Sequence, residues 1–235
     1  MRPVFALLLV LAGCSTPSAA ISRGSAGPSS SDLGLPPIRA ALELPEGSEP
    51  IGLDWLVGEL GRLSGQEVIA QPLVRQQLQQ CKQPLSIRTP VPADEAYSFV
   101  EALLAQAGFF LAALKDGERP VLGVHADGPQ LSSLAFARPI PVSLDRLDEL
   151  DRHPALLCQV VLTLQNVDSR QLQTQLRQLV VDATGVQQVV PCGERSLLVQ
   201  GMGMKVAGLV RLLQEVDRAS AAPVPAKAAA SGAKG

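Results

Sequence analysis

Only four cysteines and two histidines are present, which thins the list of possible metal or catalytic sites. His125 lies at the end of a short apolar run and His153 stands beside Pro154. Neither has a Cys, His or acidic neighbour at the spacing that zinc ligands use. The run Gly201-Met-Gly-Met-Lys205 opens a helix after a strand, which superficially suggests a phosphate loop. It lacks the third Gly, the Lys-Ser/Thr pair and the following acidic residue, so a structural hairpin-to-helix turn is the better reading. There is no Gly-x-Ser-x-Gly elbow and no His-Glu-x-x-His. Asp145, Asp148, Glu149 and Asp151 alternate with Leu and Arg, the pattern of a solvated helix face and not of a catalytic carboxylate pair. The expectation is a protein that is not an enzyme and carries no metal or organic cofactor.

Composition narrows the classes further. The 235 residues carry a net charge of −2, with 46% hydrophobic, 18% charged and 3% aromatic residues. A soluble domain usually has roughly 25% charged residues. This charge-poor composition argues against a nucleic-acid binder, which would need clustered Lys and Arg to neutralise phosphates.

The chain itself begins with an address. Met1-Arg2 is a short positive start, Pro3 to Leu11 is apolar, and Leu11-Ala12-Gly13-Cys14 follows. The apolar run is far shorter than the roughly 20 residues of a membrane-spanning helix, and it fits a secretory signal. The quartet resembles the lipobox of bacterial lipoproteins. That resemblance implies a covalent lipid on Cys14 and, with Ser15 in place of Asp at the next position, delivery to the outer membrane, facing the periplasm. Residues 1–14 are therefore expected to be a signal peptide and residues 15–39 a flexible Ser/Gly/Pro-rich tether. Residues 40–127 form a first patterned module, 128–154 a Pro-rich connector with a short helix, 155–218 a second module, and 219–235 a disordered Ala-rich tail.

In the first module, Leu53, Leu56, Val57, Leu60 and Leu63 predict a helix stopped by Gly65. A strand over 67–70, a polar helical turn over 72–80 and a strand over 85–88 follow. The spacing then predicts a helix over 92–107 with Ala96, Phe99, Val100, Leu103, Leu104 and Ala107 inward, and a hairpin across Asp116-Gly117. In the connector, Leu144, Leu147 and Leu150 suit a docked helical turn. In the second module, Cys158, Val160, Leu162 and Leu164 alternate with Gln159, Val161, Thr163 and Gln165, a half-buried strand. Asp168 and Gln171 resemble a capping pair before a helix whose stripe is Leu172, Leu176, Leu179 and Val180. Strands over 186–191 and 196–200 precede a helix over 205–217 that buries Val206, Leu209, Val210, Leu213 and Val216. The order strand, helix, strand, strand, helix makes a small sheet with both helices on one face and the other face open to solvent or a partner.

The run from Val161 to Asn166-Val167 with Leu162 and Leu164 is one part of a recognisable pattern. Leu172 with Leu176-Arg177-Gln178-Leu179, Ser196-Leu197-Leu198-Val199-x-Gly201 and Leu212-Leu213-x-x-Val216-Asp217 complete it. The second module thus resembles the KH-like β-α-β-β-α N-domain of bacterial secretins. Glu95-Ala96-Tyr97, Phe99, Leu103-Leu104 and the Gly108-Phe109 turn make the first module similar to the preceding N-domain, of the secretin and TonB short N-terminal type. The nearest resemblance is to the secretin of type II secretion systems. It implies an α+β fold of two small modules, here without the alternating strands of the outer-membrane barrel. It also implies packing side by side into rings, helix face against the neighbour's sheet.

Function follows as expectation. The first reading is a lipoprotein that acts as an accessory or scaffold of a type II-like secretion apparatus. Its partners would be a secretin, another secretion protein or further copies of itself. The alternative is a periplasmic ligand- or peptidoglycan-binding module. Arg170, Gln171, Gln173, Gln175, Arg177 and Gln178 are the candidate interface, because neutral amides are cheaper to desolvate than charges. An ordinary solvated helix face is the other reading of the same residues. The envelope is oxidising, so Cys81, Cys158 and Cys192 are free to pair in principle. Parallel strands would place Cys158 and Cys192 at opposite ends of the sheet, which favours buried thiols. Cys81 reaches either one only if the modules pack closely.

Overall fold

The computed structural model describes residues 33–47, 49–85, 89–115, 121–127, 137–179 and 186–221. The expected signal peptide, Cys14 and most of the tether lie outside the described residues.

The first module opens with β1 (Ile51–Gly52), which runs directly into α1 (Leu53–Ser64). The predicted stripe Leu53, Leu56, Val57, Leu60 and Leu63 is buried. Gly65 ends the helix in a left-handed conformation at φ 68°, where a side chain would be strained. β2 (Val68–Ala70) and α2 (Pro72–Gln80) follow. The polar stretch 72–80 is a complete helix, with Pro at its first turn and only Val74 and Leu78 buried. The next described strand is β3 (Lys82–Gln83), antiparallel to β1; residues 86–88 of the predicted strand 85–88 lie outside the described residues. α3 (Ala96–Gln106) then leads through Gly108 into β4 (Phe109–Lys115) and β5 (Val121–Ala126). The hairpin turn itself lies outside the described residues. The sheet order is β2-β5-β4, with β5 parallel to β2 and antiparallel to β4.

The predicted α3 stripe is rotated. Ala96, Val100 and Leu104 are buried as expected, but Tyr97 and Glu101 are buried with them, while Phe99 and Leu103 are half-buried. A hydroxyl and a carboxylate can occupy that face only because each finds a polar partner there.

The connector contributes to the second module's sheet. β6 (Ile140–Val142) pairs in parallel with β7 (Leu157–Thr163). Pro139 before it and Pro141 at its centre hide it from a strand search, yet an edge strand tolerates Pro. Between them, Leu144–Arg152 is a 3₁₀ helix that packs on α5 (Gly203–Ser220) through Leu147 and Leu150. α4 (Ser169–Leu179), β8 (Gln188–Pro191) and β9 (Ser196–Met202) complete the module. The sheet order is β6-β7-β9-β8, with β9 antiparallel to both neighbours. β7 and β8 therefore run in the same direction, as the crossover through α4 requires. Cys158 lies opposite Gly201 at one end of the sheet, and Cys192 leaves the other end. All three described cysteines are unbridged; Cys158 is buried, Cys81 half-buried and Cys192 exposed in the turn after β8. The expectation of buried thiols thus holds for Cys158 alone.

The two sheets meet on the second edge of β4. Leu111 N–H donates to Ala155 O at 2.8 Å, and Arg138 N–H donates to Ala113 O at 2.8 Å. Leu111 and Leu156 are fully buried side by side, and the apolar core runs continuously through both modules. Burying one such leucine contributes about 2 kcal/mol.

Candidate interaction surfaces

The predicted interface helix, α4, is set by its first turn. Asp168 Oδ1 accepts the N–H groups of Arg170 and Gln171 at 2.9 and 3.1 Å, a side-chain N-cap. Ser169 is fully buried, and its hydroxyl donates to Gly193 O at 2.6 Å. Leu172 and Leu176 face the core. Arg170, Gln171 and Gln175 are exposed. Gln173 is half-buried and donates from Nε2 to Val189 O at 3.0 Å, tying the helix to β8. The side chains of Arg177 and Gln178 lie outside the described residues. The structure thus brings Arg170, Gln171 and Gln175 to one exposed helix and assigns Gln173 a bond within the fold.

A broader surface lies on the open face of the sheet. Val161 on β7, Leu198 on β9 and Val190 on β8 are in direct cross-strand register, at 54% exposure for Val161 and 43% for Val190. One step along the strands, Gln159, Gln200 and Gln188 form a second row, extended on β6 by Pro141. Thr163 and Ser196 pair beyond them. These outward positions carry no charged side chain. The sequence signal was visible in Val161 and Val190, which are apolar residues at the outward phase of alternating strands.

Helix α5 adds a second apolar stripe. Val206, Leu209, Val210 and Leu213 are buried as predicted, but Val216 is 36% exposed. With Met204 and Leu212 it forms an outward line spaced by multiples of four residues. Asp217 causes this. Its Oδ2 accepts Gln165 N–H at 2.9 Å, and its Oδ1 accepts those of Asn166 and Val167 at 2.8 and 3.0 Å. Asn166 Nδ2 returns a bond to Asp217 O at 3.0 Å. Position 217 is drawn inward and Val216 turns out. Burial alone would raise the Asp217 carboxyl, but the three backbone donors outweigh it and hold its pKa below the usual range.

The residues considered for chemistry are otherwise engaged. His125 is 3% exposed, stacks on Phe110 at 5.3 Å, and has no hydrogen-bond partner on either ring nitrogen. Burial pushes its pKa down, so it is a neutral packing residue. His153 Nδ1 lies 2.8 Å from Glu101 Oε1. Burial, and then the nearby Glu101 charge, push the Cys158 thiol up, away from reactive thiolate. In the glycine-rich turn, Gly203 N–H donates to Leu156 O at 2.9 Å, and a Cβ there would collide with the His153 carbonyl. The turn serves close packing. Asp148 and Asp151 pair with Arg211 on α5 at 2.7 Å each, and Glu149 with Arg146, so most of the acidic run joins ion pairs. Among the described residues no cluster of His, Cys, Asp and Glu is suited to a metal, and no helix is long and apolar enough to cross a membrane.

No family model matches the chain, and no curated protein matches it. Solved structures do. Over 74% of its length the chain superposes, with a TM-score of 0.52 and 21% identity, on a chain of the Klebsiella pneumoniae type II secretion system outer membrane complex of PulD, PulS and the PulC HR domain. It spans 27% of that chain. The enterotoxigenic Escherichia coli GspC-GspD complex aligns over 76% of this chain and 99% of its own, at 18% identity and a TM-score of 0.26. The N-terminal domain of the Pseudomonas aeruginosa secretin XcpQ aligns over 74% and 63%, at 14% identity and a TM-score of 0.24. At those scores the last two carry no weight. The first likeness is one of fold: the described residues share the α+β fold of part of that type II secretion system chain.

Proposed function

We propose that the chain is a non-enzymatic envelope lipoprotein that works by binding and positioning within a type II-like secretion apparatus. The observation that carries this reading is the fold likeness over 74% of the chain, joined to two outward-facing surfaces on one small module. The open sheet face is uncharged, and the Met204-Leu212-Val216 stripe is apolar, so a partner covers them without stripping water from buried charges. Each of these side chains contributes about 1 kcal/mol when covered. The partner is a protein of the apparatus, and the same surfaces in adjacent copies supply a route to self-association. A lipid on Cys14 holds the molecule at the outer membrane, facing the periplasm.

Crosslinking in intact cells followed by affinity purification tests this. Recovery of a secretin or another secretion component with the native chain, and its loss with Leu198→Glu, is the expected result. Capture of no secretion component, or capture unaffected by Leu198→Glu and by Leu212→Glu, overturns it.

A further inference from the structure

A buried ion pair lies on the seam between the two modules. Glu101, on α3 of the first module, is fully buried. Its Oε1 is 2.8 Å from Nδ1 of His153, and its Oε2 accepts the Ala155 N–H at 3.2 Å. Both partners belong to the strap 153–156, which feeds β7 of the second module. The strap is held from several sides. Tyr97, one helical turn before Glu101, sets its ring 6.4 Å from that of His153 at 57°, and its hydroxyl donates to Pro36 O at 2.8 Å. From β4, Leu111 N–H donates to Ala155 O. From α5, Gly203 donates to Leu156 O and packs against the His153 carbonyl.

We propose that Glu101 and His153 share one proton as a latch that joins the modules into one body, and that losing this proton as pH rises frees them to hinge at 153–156.

With the shared proton the pair is neutral overall. Without it, a net negative charge remains in a site where Glu101 has no contact with water, and the departing proton goes to solvent. Burial pushes the Glu101 carboxyl up, and His153 with the Ala155 and Leu156 N–H groups only partly opposes this. A carboxyl raised in the docked state binds its proton more tightly there than in the undocked state. Docking is therefore strongest at low pH and weakens as pH climbs through the raised value. The other groups facing the pair do not supply a counter-charge. The Tyr97 hydroxyl is raised by burial and stays protonated, and the Cys158 thiol from β7 is raised likewise. On the 3₁₀ helix, Asp151 is turned to Arg211, and Arg152 is exposed. β4 and α5 present backbone groups to the strap. Among the described residues the positive charge acting on Glu101 comes from His153.

The test uses the full chain from about pH 6 to about pH 10. The His153 ring nitrogens are followed by NMR, the overall dimensions by small-angle scattering, and exchange of the Leu111 amide is taken relative to Val160 in β7. The ratio cancels the ordinary pH dependence of exchange. The expected result is a rise in that ratio of up to about tenfold per pH unit while the docked pair keeps a proton that the undocked state has lost, levelling off once the docked pair loses it, with expansion over the same range. Glu101→Gln, which keeps an oxygen for Ala155 N–H, abolishes the rise. Constant dimensions and a constant ratio across the whole pH range overturn the latch, as does a rise that persists in Glu101→Gln. If that variant does not fold, the native-chain measurements decide on their own. The outcome does not depend on any partner.

Discussion

The two ends of β7 are each fastened by a carboxylate from a helix, and the two carboxylates are shifted in opposite directions. At the start, Glu101 is fully buried and meets an imidazole and a backbone donor, so desolvation dominates and its pKa rises. At the finish, Asp217 also meets desolvation, but three consecutive backbone donors outweigh it and its pKa falls. The type of group is the same; the number of fixed donors against the loss of water decides the sign. The difference also separates roles. Asp217 comes from the same module and stays ionised across the neutral range, so its clasp is permanent. Glu101 comes from the other module and depends on a shared proton, so its clasp is conditional.

Removing the permanent end has the largest effect. Asp217→Ala leaves three donors unpaired, and urea unfolding is expected to show a loss of about 3 kcal/mol. Because the folded pKa is depressed, the native contribution is present above the unfolded pKa and fades as pH falls through the folded value. The variant lacks that acid-side decline; a native pH profile that superposes on the variant's contradicts the account. Gly203→Ala strikes the other end. Its Cβ meets the His153 and Leu150 carbonyls, and a loss of about 2 kcal/mol is expected. A neutral outcome in thermal melts would show that the strap has room to move. Asp168→Ala is the smallest change, about 1 kcal/mol of cap energy on α4. Its carboxylate accepts two backbone donors but is exposed, so it isolates donor bonding from burial. If it costs as much as Asp217→Ala, burial is not what distinguishes the clasps.

The permanent end was legible in the chain and the conditional end was not. Asn166-Val167 and Val216-Asp217 stood among the residues that carried the family resemblance, and the structure joins them by direct bonds. The alternation of β7 and the stripe of α5 were read from local periodicity, which needs no knowledge of partners. Glu101 was passed over because its neighbours on α3 are apolar and its partner lies 52 residues away. β6 was missed for a related reason: Pro139 and Pro141 argue against a strand unless the strand is known to lie at an edge. The predicted α4 interface mixed exposed residues with Gln173, whose bond to Val189 depends on the register of β8, a non-local fact.

The seam on β4 bears on the order in which the chain matures. A nascent chain emerging from its N-terminus completes β4 and β5 well before residues 138 and 155, which close the second edge of β4. Until then the first module holds an unsealed strand edge and a carboxyl awaiting its imidazole. A fragment ending at Asp127 is therefore incomplete and prone to edge-to-edge association. The later half of the chain acts as an intramolecular chaperone for the earlier half, capping its sheet as soon as the strap arrives.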